Sequence, residues 1–164
     1  MRLPALVACS VVMLCLALPA VMPAAAEASS ARLDRAERKV IRLVNQIRTR
    51  HGLRRLKASR ALSRAAGGHS SDMVRRDFFG HASSNGTPMN RRVKTYTRAR
   101  WVGENLAIVS GRGTAGRVVR MWMNSAGHRR VILDRKSRRI GVGRRSGRVG
   151  SFRGTVYTAD FASR

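Results

Sequence analysis

The sequence predicts an α+β domain, with helices packed outside a small sheet, on three observations. Apolar residues recur at three- and four-residue spacing in two early segments, Leu33 to Ile47 and Ala61 to Val74. From Ile140 onward the chain changes to short β-branched and aromatic runs punctuated by glycine. The only continuously apolar stretch lies at the very start, where it reads as an address rather than a fold.

That first stretch has Arg2, a nearly uncharged run from Leu3 to Met22, and Pro23-Ala24-Ala25-Ala26 before Glu27. A basic start, an apolar middle and an Ala-x-Ala exit are the marks of a cleaved secretory signal, assigned to residues 1–26. Twenty apolar residues are also long enough to span a bilayer. The small-residue exit and the helix-breaking Pro19 and Pro23 favour cleavage, which would leave no transmembrane segment. Cys9 and Cys15 would depart with the signal, so the exported chain would have no thiol and no disulfide. Most small secreted domains lean on disulfides; this one must rely on packing or a bound ion. A bacterial protein, secreted or associated with the cell wall, is the expectation.

After a polar lead, Asp34 is placed to cap the first helix, with Glu37 at the third position completing a capping box. Leu33, Ala36, Val40, Leu43, Val44 and Ile47 give its apolar face, and Gly52 ends it. A second helix is expected from Ser59 to about Arg76, burying Ala61, Leu62, Ala65, Ala66, Met73 and Val74; the small residues allow close packing. Phe78 to Asn90, rich in Gly, Ser, Asn and Pro, reads as a loop. Trp101 to Val109 reads as a strand interrupted by Gly103-Glu104-Asn105. Thr114 is placed to cap a third helix with Val118, Val119, Trp122 and Met123 inward, and Ser125 to cap a short helical turn reaching about Leu133. Two short strands follow, Ile140 to Gly143 and Thr155 to Phe161, with turns expected at Ser146-Gly147 and Gly150.

Charge narrows the partners. Lys and Arg number 34 against 8 Asp and Glu, a net charge of +26. Such a chain is unsuited to cationic substrates and attracts polyanions at long range. At 43% hydrophobic it is not a disordered basic tail. The excess of Arg over Lys has two readings, bidentate grip on phosphate or carboxylate and GC-rich codon usage, of which the second takes the larger share. The arginine pairs, from Arg54-Arg55 to Arg144-Arg145, are dispersed and form no basic arm. Anionic cell-envelope polymers or lipids are the expected partners of a monomer. Aromatics, at 5%, are few and assigned to the core, so sequence-specific reading of nucleic acid is not expected.

Against so basic a background the acids are informative. Asp34, Glu37, Asp72, Asp77 and Asp134 fall near helix ends or on solvated faces. Glu104 differs: it lies between Val102 and Leu106 in the most apolar stretch of the mature chain, where a carboxylate needs a cation or several donors. His81, in the loop, and His128, in the first turn of a short helix whose positive end would keep it neutral, are its candidate partners. His69 reads as a packing or hydrogen-bonding residue and His51 as solvated. Two His and one Glu suit zinc or another divalent metal with an open position; equally, they suit a hydrogen-bonded triad tying the loop to the sheet. Gly-x-Ser-x-Gly, His-Glu-x-x-His and any mature-chain cysteine are absent, so no enzyme is demanded. A metal-assisted hydrolase with Glu104 as candidate base is the alternative.

The motifs Phe78-Phe79-Gly80-His81, Gly103-Glu104-Asn105-Leu106-Ala107 and Trp122 through Gly127-His128-Arg129 occur in that order, followed by Ile140-Gly141-Val142-Gly143 and Tyr157 to Phe161. Together with Val44 to Arg48 they resemble the bacterial branch of the CAP superfamily, the cysteine-rich secretory, antigen 5 and pathogenesis-related-1 proteins. The resemblance covers residues 37–162, preceded by the polar lead 27–36. It implies a three-layer α-β-α sandwich with a small central antiparallel sheet and an open cleft. In many members two histidines and acidic residues line that cleft and can hold a divalent metal. Carried over, these are His81, Glu104 and His128, with Asn105, Ser125 and Tyr157 as cleft support. Ser125 stands where eukaryotic members have a second glutamate, Val131 where an asparagine is common, and Ala159 where a glutamine is common. The implied role is a binding module for a small apolar or lipid-like ligand.

Overall fold

A computed structural model describes residues 33–110 and 114–164. The signal assigned to residues 1–26 and most of the polar lead lie outside the described residues. The elements run α1 (Arg35–Arg50), β1 (Lys57–Ala58), α2 (Arg60–Arg75), α3 (Met89–Lys94), β2 (Val102–Ser110), α4 (Ala115–Asn124), α5 (Ala126–Ile132), β3 (Arg139–Val149) and β4 (Phe152–Ala162).

Helix α1 starts where its capping box requires. The Asp34 side chain accepts from the Glu37 N–H and the Glu37 carboxylate accepts from the Asp34 N–H, both at 2.8 Å. Ser59 and Thr114 cap α2 and α4 through their hydroxyls. Ser125 precedes α5 but makes no capping bond with its side chain, contrary to the expectation from sequence.

The sheet has the order β1-β3-β4-β2. The three long strands β2, β4 and β3 are antiparallel, as expected, and the two-residue β1 adds a parallel pairing at the free edge of β3. Side chains alternate across it. One face carries Ala107, Val109, Ile140, Val142, Tyr157, Ala159 and Phe161 and packs against α1, α4 and α5 through Val40, Val44, Trp122 and Ile132. The other meets α2 and α3: Leu62 and Val93 pack near Ala162, and Met73 packs on Leu106 and Val156. Three layers result, as the resemblance implied.

Three further elements differ from the sequence reading. Strand β2 is unbroken, because Gly103, Glu104 and Asn105 each hold a ladder position opposite β4. Helix α3 arises inside and beyond the expected loop, after Pro88; at six residues it buries only Val93 and is too short to show a period. Strand β3 continues through Ser146-Gly147, where a turn was expected, and the chain turns at Gly150, as expected, where φ is +58°. Gly147 is a packing residue: a Cβ there would lie 2.3 Å from the Val74 side chain.

Candidate functional site

Glu104 projects from β2, the outer strand, onto the α2–α3 face, and its side chain is fully buried. Two cationic or protonatable groups close over it. His81 Nδ1 donates to Oε1 at 2.8 Å, and the Arg92 guanidinium bonds Oε2. Arg92 reaches it from α3 and also donates to the His81 carbonyl at 2.7 Å, so one side chain fastens both the carboxylate and the loop. His69, buried on α2, donates through Nε2 to the Gly80 carbonyl at 2.9 Å and stands 3.9 Å from Glu104 Oε2.

Asp160 completes the cluster. It is the register partner of Glu104 across the β2–β4 ladder and is fully buried. Neither of its oxygens meets an N–H or hydroxyl donor. Burial, and then the adjacent Glu104 charge, push its acid well above the ordinary carboxylate range. Two ionised carboxylates cannot share a hydrogen bond; with the proton on Asp160 the contact to Glu104 becomes one.

The histidines fall into opposite states. The hydrogen bond to Glu104 raises His81 above its ordinary value despite partial burial. Burial lowers His69, keeping it neutral. His128 is lowered by burial and then by the charge of His81. The direction agrees with the sequence reading, but the cause is not the helix end invoked there. His128 lies on α5, across the sheet from His81, and its main-chain carbonyl accepts from Asn105 Nδ2 at 3.0 Å. Glu104 and Asn105, consecutive on β2, thus serve the two faces of one edge.

The structure therefore joins His81 and Glu104 directly, brings His128 to the same edge and makes Asn105 the support beneath it. Ser125 is half-buried at the start of α5. Tyr157 is buried on the opposite face, in the main core, where Arg144 is a neighbour; it is no part of the cleft. His69 is the buried hydrogen-bonding residue expected from sequence, while the parts of Arg92 and Asp160 in the cluster were missing from that reading.

A cleft of about 380 Å³ opens beside the cluster. Met89, Trp101, Val102 and Val131 supply apolar walls, with His81 and Arg130 at the polar side. A divalent metal requires ligands converging on one point. Among the described residues no group of three His, Asp or Glu side chains does so. Both Glu104 oxygens are engaged, one by a guanidinium, so the trio in this arrangement fits an ion-pair network rather than a metal centre.

The architecture and the His–Glu cleft define the class. The model of the cysteine-rich secretory protein (CAP) family matches residues 41–161, and the chain belongs to that family. It is 38% identical over 108 residues to the Bacillus subtilis protein YkwD and 34% identical over 108 residues to the B. subtilis membrane protein YlbC. Each match takes in 65% of this chain but only 41% and 31% of those relatives, so the chain spans less than half of either. Among solved structures, an extracellular SCP-domain protein of Bacillus anthracis is similar at TM-score 0.68 and 28% identity, over 79% of this chain and 40% of that one. An outer surface protein of Borrelia burgdorferi shares the fold at TM-score 0.68 and 20% identity, over 80% and 96% of the two chains.

Proposed function

We propose that this chain is an exported CAP-domain binding protein of the bacterial envelope, whose cleft takes a small apolar or lipid-like ligand. The observation that carries this reading is the pairing of an apolar cleft, walled by Met89, Trp101, Val102 and Val131, with a carboxylate already neutralised from within. A general base must be reachable and free to take a proton. Glu104 has no exposed side-chain surface and both oxygens occupied, which favours binding over hydrolysis. The ligand's tail lies against the apolar walls and its polar end faces His81 and Arg130. The similar SCP-domain protein of B. anthracis is extracellular, which supports the location. The net charge of +26 supports retention on anionic polymers.

The test uses Trp101, which lines the cleft, while Trp122 is buried in the core. Titration with dodecyl phosphate is expected to give a saturable blue shift in tryptophan emission, lost in Trp101→Phe. No saturable change would remove the cleft reading. Zinc calorimetry on the same protein, beside His81→Ala/His128→Ala, tests the alternative. One-to-one micromolar binding lost in the double variant would make the trio a metal site and call for screening hydrolytic substrates.

A further inference from the structure

Large apolar side chains are exposed at four described positions, Phe79, Tyr96, Met121 and Phe152. Single exposed apolar residues are ordinary. Two of these four, however, are brought to one end of the molecule by a specific bond. Asp77, just past α2, takes a left-handed conformation at φ 55°, and its Oδ1 accepts from the Gly150 N–H at the β3–β4 turn at 2.5 Å. Phe79 lies two residues beyond Asp77, and Phe152 two residues beyond Gly150. Between them Phe78 and Val149 pack into the same small core with Met73 and Val156. The two rings, 46% and 40% exposed, are thus held on a fixed platform.

Arginine surrounds this end. Arg75 and Arg76 close α2 and are exposed. Arg148 and Arg153, also exposed, are direct register partners across the hairpin. Like charges directly opposite on a ladder destabilise it, and no acid is bonded to either; Arg148 Nη1 donates to the Gly150 carbonyl at 3.1 Å. Two acids lie near this end: Asp77, whose Oδ1 is committed to the turn, and Asp72, which is near Arg75 and accepts from Ser84.

We infer that this end of the molecule, with Phe79, Phe152, Arg75 and Arg76 on the α2 side of the hairpin tip and Arg148 and Arg153 on its other face, is the end by which the protein docks on an anionic lipid bilayer. Charge complementarity selects an anionic partner, since basic side chains near such a surface are drawn to it. The paired rings select a bilayer over a soluble polyanion, because aromatic side chains sit well at the headgroup level while a polymer offers them nothing to enter. An anionic surface also relieves the Arg148–Arg153 repulsion. This inference rests on the reading that the protein works at the envelope, and it names the end and the lipid.

Sedimentation with phosphatidylglycerol and phosphatidylcholine vesicles tests it. The wild type is expected to bind the first and not the second. Phe79→Ser/Phe152→Ser should bind phosphatidylglycerol at least about tenfold more weakly, while binding soluble polyphosphate as the wild type does. Arg148→Gln/Arg153→Gln should also weaken vesicle binding. Arg91→Gln/Lys94→Gln, on α3 at the other end of the sheet, removes equal charge and should change it by less than about twofold. Because a variant can be lost to misfolding, Phe152→Trp gives a second measurement: brominated acyl chains should quench its emission. Full binding by the double Phe variant, equal loss from the α3 pair, or no quenching overturns the placement. A wild type that binds neither vesicles nor polyphosphate overturns the envelope reading itself.

Discussion

Asp160 shows what a single proton does in a buried site. Facing Glu104 across the ladder, it is held as the neutral acid. Its raised value means the folded state binds this proton more tightly than the unfolded chain. The sign follows: stability is undiminished below the ordinary Asp value near about 4 and falls as pH rises toward the folded value. Asp160→Asn keeps a donor to Glu104 without that cost, so Tm should rise, by about 3 °C per kcal/mol recovered, and more at pH 8 than at pH 5. Scanning calorimetry at the two pH values checks it; a lower Tm at both would show that the charge is wanted. The histidines add opposite slopes. The bond from protonated His81 to Glu104 is at full strength below about pH 6.5 and is lost as pH rises through its raised value. His69 and His128, lowered, support the fold above about pH 6.5 and weaken it as acid protonates them. Thermal melts of His81→Ala should therefore lose part of the alkaline decline and keep the acid one. Glu104 was legible as a carboxylate in an apolar run. Asp160 and Arg92 were not, because their meeting with Glu104 depends on strand register and on a helix too short to leave a pattern; His69 was legible as a hydrogen-bonding residue but not as a neighbour of Glu104.

Elements with a local signal were legible. The Asp34–Glu37 box and the periodic faces of α1, α2 and α4 place those helices to within a residue or two. What escaped was set by partners distant in sequence: β1 is two residues held only by β3, and the length of β3 is decided by α2 lying on it. The glycines of β3 explain both the error and the packing. A Cβ on Gly141 would stand 2.1 Å from the Leu62 carbonyl carbon, and one on Gly143 2.1 Å from the Gly67 nitrogen. These are backbone contacts, which no rotamer change relieves. Gly143→Ala must lift α2 off the sheet, and a loss of about 3 kcal/mol or more is expected. Denaturant unfolding measures it. Since α2 carries His69, the histidine titrations should shift in the same variant; a fold of unchanged stability would disprove the close approach.

At the scale of the molecule, charge and core are separable. The core, from Val40 to Phe161, has the ordinary apolar composition of a small domain, while most of the Lys and Arg among the described residues lie at the surface, with Arg48 as a buried exception. Arg48 is held by the main-chain carbonyls of Arg54, Ile132 and Asp134 rather than by an acid. Composition alone made the polyanion affinity legible; the end of the molecule that concentrates it needed the hairpin turn and Asp77. The order of strands has a temporal meaning as well. The two central strands, β3 and β4, are the last elements of the chain, and the helices before them have no floor until both exist. Such non-local pairing delays the rate-limiting closure. As the domain emerges from the N-terminal side, its helices stay unsupported until β4 is free. A fragment ending at residue 151 should show no cooperative melting transition, so the domain commits to its shape only once β4 can pair.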